Sequence, residues 1–195
     1  MAGIANLKGI QMKKWAGGLV AVAALLLSTG AMAQSYISIA AGQGHQQMDC
    51  TGATSCDATG TALKIVAGQS IVQGLSMEIG YLDFGTVKAS NSLVSAEIKS
   101  SALTLGVAYK LPFTPDLAGN LRLGLASMKA KATGTSFLGN SSASETNSKL
   151  YYGLGLSYAF SNAVAAEIGA DFSKAELQGD KADVRAVTAG LRFTF

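Results

Sequence analysis

The chain has 195 residues, of which 49% are hydrophobic and 14% are charged, and its formal charge is +3. Charged residues make up about a quarter of an ordinary soluble domain, so the composition indicates a surface that faces something other than water. Lys8, Lys13 and Lys14 account for the whole excess, since residues 34–195 contain 12 basic and 12 acidic residues. This balance gives no support for nucleic-acid binding.

The N-terminal segment has the order of regions found in a secretory signal peptide. The basic pair Lys13-Lys14 precedes an apolar stretch over residues 16–27, and a run of small residues follows. The stretch has about 12 residues, whereas a helix needs about 20 to span a bilayer. We therefore predict that residues 1–33 are a cleavable signal peptide.

The predicted cleavage site follows an A-x-A pattern formed by Ala31 and Ala33, so that Gln34 becomes the first residue of the exported chain. Two alternatives stay open. One is an uncleaved membrane anchor, and the other is a start at Met12, because the residues before it are unusual for a signal peptide.

Export brings the chain into an oxidising compartment, in which Cys50 and Cys56 can form a disulfide. Both lie in a turn-rich segment of small and polar residues. The disulfide would contribute about 2 kcal/mol for so short a loop, enough to rigidify one loop without explaining a fold. Metal binding is the less favoured alternative, because His45 is the only histidine and a metal site needs more than two thiols. We expect no metal and no cofactor.

Beyond Gln34, apolar residues alternate with small or polar ones, which predicts strands along the whole of residues 34–195. Clusters of Gly, Ser, Asn and Asp divide this pattern into eight segments. The predicted strands are Ser35–Gly44, Thr61–Ser70, Leu75–Gly85, Ser101–Lys110, Asn120–Lys131, Leu150–Phe160, Val164–Phe172 and Val184–Phe195. They form a single all-β domain without a linker.

Bulky apolar side chains occupy one face of these strands, and Gly, Ala, Ser, Thr and a few charges occupy the other. In the sixth strand, Tyr152, Leu154 and Leu156 lie opposite Gly153 and Gly155. A soluble sandwich turns bulky residues inward, whereas an outer-membrane barrel turns them toward lipid and keeps small or polar residues in the lumen. The pattern predicts an eight-stranded antiparallel up-and-down transmembrane β-barrel in the outer membrane.

Connection lengths predict the orientation of the barrel. The turns over residues 71–74 and 161–163 are short, while the loops after the first, third, fifth and seventh strands are longer and polar. Short periplasmic turns and long external loops are the rule for such barrels. The connection after the fourth strand, about nine residues with Pro112 and Pro115, is the exception and is also expected on the periplasmic side.

Two segments carry a family resemblance: the hairpin that contains Glu78-Ile79-Gly80-Tyr81 and the C-terminal Arg192-Phe193-Thr194-Phe195. With them the chain resembles the OmpA-like, or opacity-type, family of small outer-membrane β-barrels, over nearly the whole exported part. The resemblance implies that Phe193 and Phe195 belong to an aromatic signal read by the barrel-assembly machinery. Because no peptidoglycan-binding domain follows, that function of OmpA is not expected.

Alternation places six charged side chains in the lumen. Four are three or four residues from the periplasmic ends of their strands: Glu78, Arg122, Glu167 and Arg192. The other two, Lys64 and Asp171, are nearer the external mouth. Since unpaired buried charges are costly, we expect the four to form a salt-bridged polar plug in a narrow, filled barrel. The alternative, implied by the resemblance, is that these pairs rearrange to open a narrow ion path of little selectivity.

The sequence predicts no catalytic residue. His45 stands at the start of the first loop in Gly44-His45-Gln46-Gln47, without an identified nucleophile or acid. Barrels that modify lipid A need such a set of residues. The neighbouring glycines also lack the third glycine and the helix of a dinucleotide motif.

The external loops are therefore expected to carry any specific function. The second, residues 86–100, would extend the sheet above the membrane, and the third, residues 132–148, is expected to be a mobile loop. Extended strands suit adhesion to host surface or matrix proteins by edge pairing. We predict a non-catalytic surface barrel for adhesion or envelope integrity, in contact with lipid and lipopolysaccharide. A small porin is the alternative, and a lipid A-modifying enzyme is less favoured.

Overall fold

The structure is a computed structural model that describes residues 34–47, 55–90, 94–136, 139–177 and 180–195. Nine strands cover most of this part of the chain: β1 (Ser35–Gln46), β2 (Ser55–Asp57), β3 (Thr59–Val72), β4 (Leu75–Ser90), β5 (Val94–Pro112), β6 (Leu117–Ser136), β7 (Gly139–Ala159), β8 (Val164–Leu177) and β9 (Asp180–Thr194). No helix within these ranges is long and apolar enough to cross a membrane.

Eight of the strands close into a barrel by antiparallel pairing. Each strand from β3 to β9 pairs with the next along the chain, and β1 pairs with both β3 and β9. The remaining strand, β2, is short and pairs with the end of β4, where Asp57 lies opposite Lys88. The predicted eight-stranded antiparallel barrel is confirmed.

The two ends of the barrel are built differently. The first and last described residues, Gln34 and Phe195, lie at one end, together with the tight turn at Gln73-Gly74 and the turns over residues 113–116 and 161–163. We call this the short-turn end. At the opposite end, the extended end, β4, β5, β6 and β7 run on beyond the predicted strand limits.

The strands at the extended end are longer than the sequence predicts. Residues 86–90 and 94–100 extend the sheet as expected, but the loop prediction is wrong for residues 132–136 and 139–148. There β6 and β7 pair in one continuous register, from Ala132 opposite Ala143 to Ser136 opposite Gly139. Pairing with a neighbour satisfies the backbone even where Ser, Thr and Asn dominate, so composition alone underestimates such strands.

The connection after the fourth predicted strand is also shorter than expected. β5 continues to Pro112 and β6 begins at Leu117, which leaves residues 113–116 as the turn. Backbone N–H groups of Phe113 and Thr114 both donate to the carbonyl of Leu117 and close it. A proline at the end of a strand does not break the ladder, because its missing N–H falls where pairing stops.

Alternation of side chains places a band of large apolar residues on the outside of the barrel. Ile39, Leu105, Leu123 and Leu154 are all more than half exposed. So large an apolar surface is unfavourable in water, and it indicates that lipid covers this band.

A β-bulge shapes the extended end of β4. The pairing with β5 shifts between Asp83 and Thr86, so that β4 carries one extra residue there. Gly85 occupies the bulge with a φ of 84°, in the left-handed region that favours glycine. Phe84 and Val87, on either side of the bulge, are both fully buried. The bulge therefore lets β4 supply two large side chains to the interior.

Candidate functional site

The lumen near the short-turn end contains a charge network, which we define as Glu78, Arg122, Glu167 and Arg192. These residues come from β4, β6, β8 and β9, and all are at most 9% exposed. Each points inward because side chains alternate between the two faces of a strand. The structure thus brings together the four side chains that alternation places in the lumen.

Arg122 lies between the two glutamates of the network. Its Nε donates hydrogen bonds to Oε1 and Oε2 of Glu78, at 3.3 and 3.0 Å, and its Nη2 donates to Oε1 of Glu167. Arg192 donates through Nε and Nη2 to Oε2 of Glu167, at 3.1 and 2.9 Å. Acids and bases therefore alternate, and the network is neutral in sum.

Tyr36 on β1 joins the two ends of this network. Its hydroxyl donates to Oε1 of Glu78 at 2.5 Å, and the guanidinium carbon of Arg192 lies 4.3 Å from the centre of its ring. The ring lies across Gly68 of β3, where any Cβ would overlap it. The hydrogen bond and the cation–π contact together close the network into a ring of groups.

Sequence reasoning did not include Tyr36 or its neighbour on the same face, Ser38, whose hydroxyl donates to Oε2 of Glu167 at 3.2 Å. The sequence did contain a signal, because both residues occupy alternate positions of the first strand whose side chains face the lumen. Neither side chain carries a charge that would demand a buried partner, so the pattern alone did not single them out.

A second ion pair lies nearer the extended end. Lys64 Nζ is 2.6 Å from Oδ2 of Asp171, and the hydroxyl of Tyr151 donates to Oδ1 of the same carboxylate at 2.6 Å. Lys64 and Asp171 are at most 2% exposed. Both carboxylate oxygens are thus satisfied, and this pair adds no net charge to the lumen.

The lumen toward the extended end is filled by apolar side chains. We call its large members, Leu82, Phe84, Met128 and Val184, the apolar plug; each is at most 1% exposed. They pack among small inward-facing residues of β3, β5, β6 and β9: Ala62, Ala102, Ala126, Ala130 and Ala186. The expectation of only small or polar lumen residues is wrong for this half. A barrel of eight strands leaves an interior just wide enough for side chains, and large apolar ones fill it here.

Hydrogen bonds join the rim of the plug to the bulge. The side-chain amide of Gln46 donates to the carbonyl of Gly85 at 3.0 Å and accepts from the hydroxyl of Ser100 at 2.7 Å. Three strands are thus tied together where the barrel opens into the extended sheet.

The remaining predicted residues are placed as follows. His45 lies within β1, opposite Thr59 and Arg185, and not in a loop as expected. Among the described residues no hydrogen bond or ion pair links it to an acid. Cys50, Ala31 and Ala33 lie outside the described residues, as does the side chain of Cys56, so the disulfide and the cleavage site stay predictions. Gln34 is the first described residue and precedes β1.

The C-terminal aromatic residues lie at the short-turn end. Phe193 and Phe195 face outward and are 40% and 62% exposed. The backbone of Phe195 exchanges two hydrogen bonds with Ser35, at 2.9 and 3.1 Å, so the last residue completes the closure between β9 and β1.

A closed antiparallel barrel with an apolar outer band and a filled, charge-balanced lumen defines a transmembrane β-barrel. The family model described as "Outer membrane protein beta-barrel domain" matches residues 19–195. The chain belongs to this family and is an outer-membrane protein. Because such barrels turn short connections toward the periplasm, the short-turn end faces the periplasm and the extended end faces outward.

Solved structures with a similar fold are small barrels of the same kind. Neisserial surface protein A has a TM-score of 0.62 at 18% identity, covering 83% of this chain and 97% of its own. Ail, the attachment invasion locus protein of Yersinia pestis, solved with the heparin analogue sucrose octasulfate, has 0.54 at 20%, covering 83% and 99%. The N-terminal barrel domain of Pseudomonas aeruginosa OprF has 0.50 at 14%, covering 86% and 100%. Identities this low are evidence of the fold alone. Comparison with curated protein sequences yields no match.

Proposed function

We propose that this protein is a non-catalytic surface barrel that attaches to other surfaces through its extended end. The observation that carries the proposal is the sheet formed by β2 and the outer parts of β4, β5, β6 and β7. A barrel that only had to be capped at its outer end would need much less ordered backbone than this sheet contains. Strands held beyond the membrane suit the binding of an extended segment of a partner protein.

Along one edge of this sheet, β7 continues past its last ladder pair with β8. The pairing of β7 with β8 begins only at Tyr152 opposite Phe172, although β7 itself starts at Gly139. Within the described residues, the outer part of β7 pairs with β6 on one side and has no ladder partner on the other. An unpaired edge presents backbone donors and acceptors to which a partner strand can add.

The outer part of the sheet is polar and charged. Lys88 on β4 and Glu97 on β5 form an exposed ion pair at 2.8 Å. The hydrogen bond to Glu97 and the charge of that carboxylate raise the pKa of Lys88 above its ordinary value. These features support a sheet that stands in water. The attachment role carried by the name of Ail, and the sulfated sugar bound in its structure, are in keeping with the proposal.

Shortening the β6–β7 hairpin tests the proposal. Ala132 pairs with Ala143, so residues 133–142 can be replaced by Asn-Gly, a favoured two-residue hairpin turn. Cells that display this variant should lose adhesion to immobilised matrix proteins and to cultured cells. Heat-modifiable migration on SDS gels verifies that the barrel has folded. Undiminished adhesion by a folded, shortened barrel would refute attachment through the β7 edge.

The apolar plug favours this role over that of a small porin. An ion crossing the lumen would have to pass Phe84 and Met128, which leave no side-chain group that could replace its hydration shell. We expect no single-channel steps from the purified protein in planar bilayers. A Phe84→Gly/Met128→Gly variant should conduct ions. If the unmodified protein instead shows single-channel steps, and these vanish in a Glu78→Gln variant, the small-porin function is favoured.

A further inference from the structure

Three lysines lie close together on the outer wall, just beyond the apolar band. Lys99 of β5 is directly opposite Lys131 of β6, and Lys129 lies two residues along β6 on the same face. Opposite residues of a ladder are about 5 Å apart and alternate residues of a strand about 7 Å apart. We call these three residues the lysine patch.

The protein balances only part of the charge of the lysine patch. Lys99 forms an ion pair with Asp83, with 3.0 Å between Nζ and Oδ2. Within the described residues, Lys129 and Lys131 take part in no ion pair. Like charges directly opposite each other destabilise a sheet. The ion pair with Asp83 reduces this cost at Lys99, and a bound anion would reduce it at Lys131 as well.

Hydroxyl groups flank the lysines on both sides. Ser101 of β5 and Thr146 of β7 lie opposite Lys129, and Ser144 of β7 lies opposite Lys131. Opposite residues of an antiparallel ladder share a face, so these hydroxyl-bearing side chains and the lysines lie on the same face of the wall. Ammonium and hydroxyl donors around one spot are the groups that bind phosphate oxygens.

The part of the outer wall between the lysine patch and the short-turn end is apolar. Leu103, Leu125 and Leu150 lie on β5, β6 and β7 below the lysine patch, and each is more than half exposed. Leu125 is opposite Leu150, and Leu103 is only two residues from Ser101 along β5. A ligand with a phosphorylated headgroup and acyl chains would match both surfaces at once.

We propose that the lysine patch binds the phosphorylated headgroup of a glycolipid in the outer leaflet, with its acyl chains along the three leucines. A membrane lipid is favoured over a soluble polyanion because the patch borders the apolar band. Two other lysines at the extended end are neutralised within the protein, in the pairs Lys88–Glu97 and Lys174–Asp183. The proposal rests on the outer-membrane location and is independent of adhesion.

The test uses the full barrel in detergent micelles, titrated with diphosphorylated lipid A and followed by native mass spectrometry. A Lys129→Gln/Lys131→Gln variant is compared with Lys110→Gln/Arg185→Gln, which loses the same charge at exposed positions elsewhere on the barrel. Loss of two charge-assisted contacts should weaken binding by about tenfold or more in the first variant, and by less than about twofold in the second. Heat-modifiable migration verifies that all variants are folded.

Further titrations distinguish lipid A from other anionic ligands. Dephosphorylated lipid A should bind weakly and equally to all three proteins. An equal loss in both double variants, or equal lysine-dependent binding of phosphatidylglycerol, would overturn the proposal in favour of unspecific attraction. Lysine-dependent binding of heparin but not of lipid A would overturn it in favour of a soluble glycan. The hairpin variant that lacks residues 133–142 keeps the lysine patch, so the adhesion proposal can fail separately.

Discussion

The two halves of the lumen are closed by different interactions. Near the periplasm, the charge network depends on partners: Arg122 neutralises both Glu78 and Glu167, and none of the three tolerates the loss of another. Toward the outside, the apolar plug depends on volume, because Phe84 and Met128 fill space among alanines. The comparison teaches that a narrow barrel can be sealed either by paired charges or by packing. The two designs differ in which substitutions break them.

The largest effect is expected from Arg122→Met. The variant leaves Glu78 and Glu167 buried without their shared cation, and breaking such a buried arrangement costs about 3–5 kcal/mol of unfolding free energy. Urea unfolding in detergent micelles measures the loss. Lys110→Met, at an exposed position, is the control and should leave the midpoint unchanged. An Arg122→Met barrel as stable as this control would mean that water solvates the network.

Phe84→Ala tests the plug and should cost slightly less, about 3 kcal/mol, because the lost packing leaves a cavity that the barrel wall cannot collapse to fill. Phe84→Leu keeps most of the volume and should cost less than about 1.5 kcal/mol. The same urea titration compares them. If the two variants lost equal stability, shape rather than volume would govern this half of the lumen.

Tyr36→Phe separates the two interactions of one side chain. The variant loses the hydrogen bond to Glu78 but keeps the ring against Arg192, so unfolding free energy should fall by about 1–2 kcal/mol. Tyr36→Leu, which also removes the ring, should be less stable than Tyr36→Phe. Identical stability of Tyr36→Phe and the unmodified barrel would show that the carboxylate finds another donor.

The smallest effect is expected from Lys88→Gln, which removes an ion pair outside the membrane. Both side chains of this pair are largely exposed, and solvent screens such pairs. The midpoint of unfolding should therefore not change, at low or high salt. A clear loss of stability would mean that the extended sheet unfolds together with the barrel.

Most of the fold could be predicted because one face of each strand contacts lipid. Apolar residues must therefore recur at every second position of a strand. This alternation alone places four charged side chains in the lumen: Glu78, Arg122, Glu167 and Arg192. Strand ends were harder to predict. Residues 132–148 have a loop-like composition, yet β6 and β7 pair through residues 132–136 and 139–148, since pairing depends on the neighbouring strand and not on propensity alone.

The sequence alone determined the class of protein, the number of barrel strands and the face on which each side chain lies. It did so because lipid outside and a narrow lumen inside select different residue types at alternate positions of each strand. Only the tertiary structure decided which lumen residues meet. Strands of a barrel are tilted and staggered, so the contact of Tyr36 with Glu78 and Arg192 depends on register summed over several strands. The same stagger brings Leu82, Phe84 and Met128 into one buried cluster.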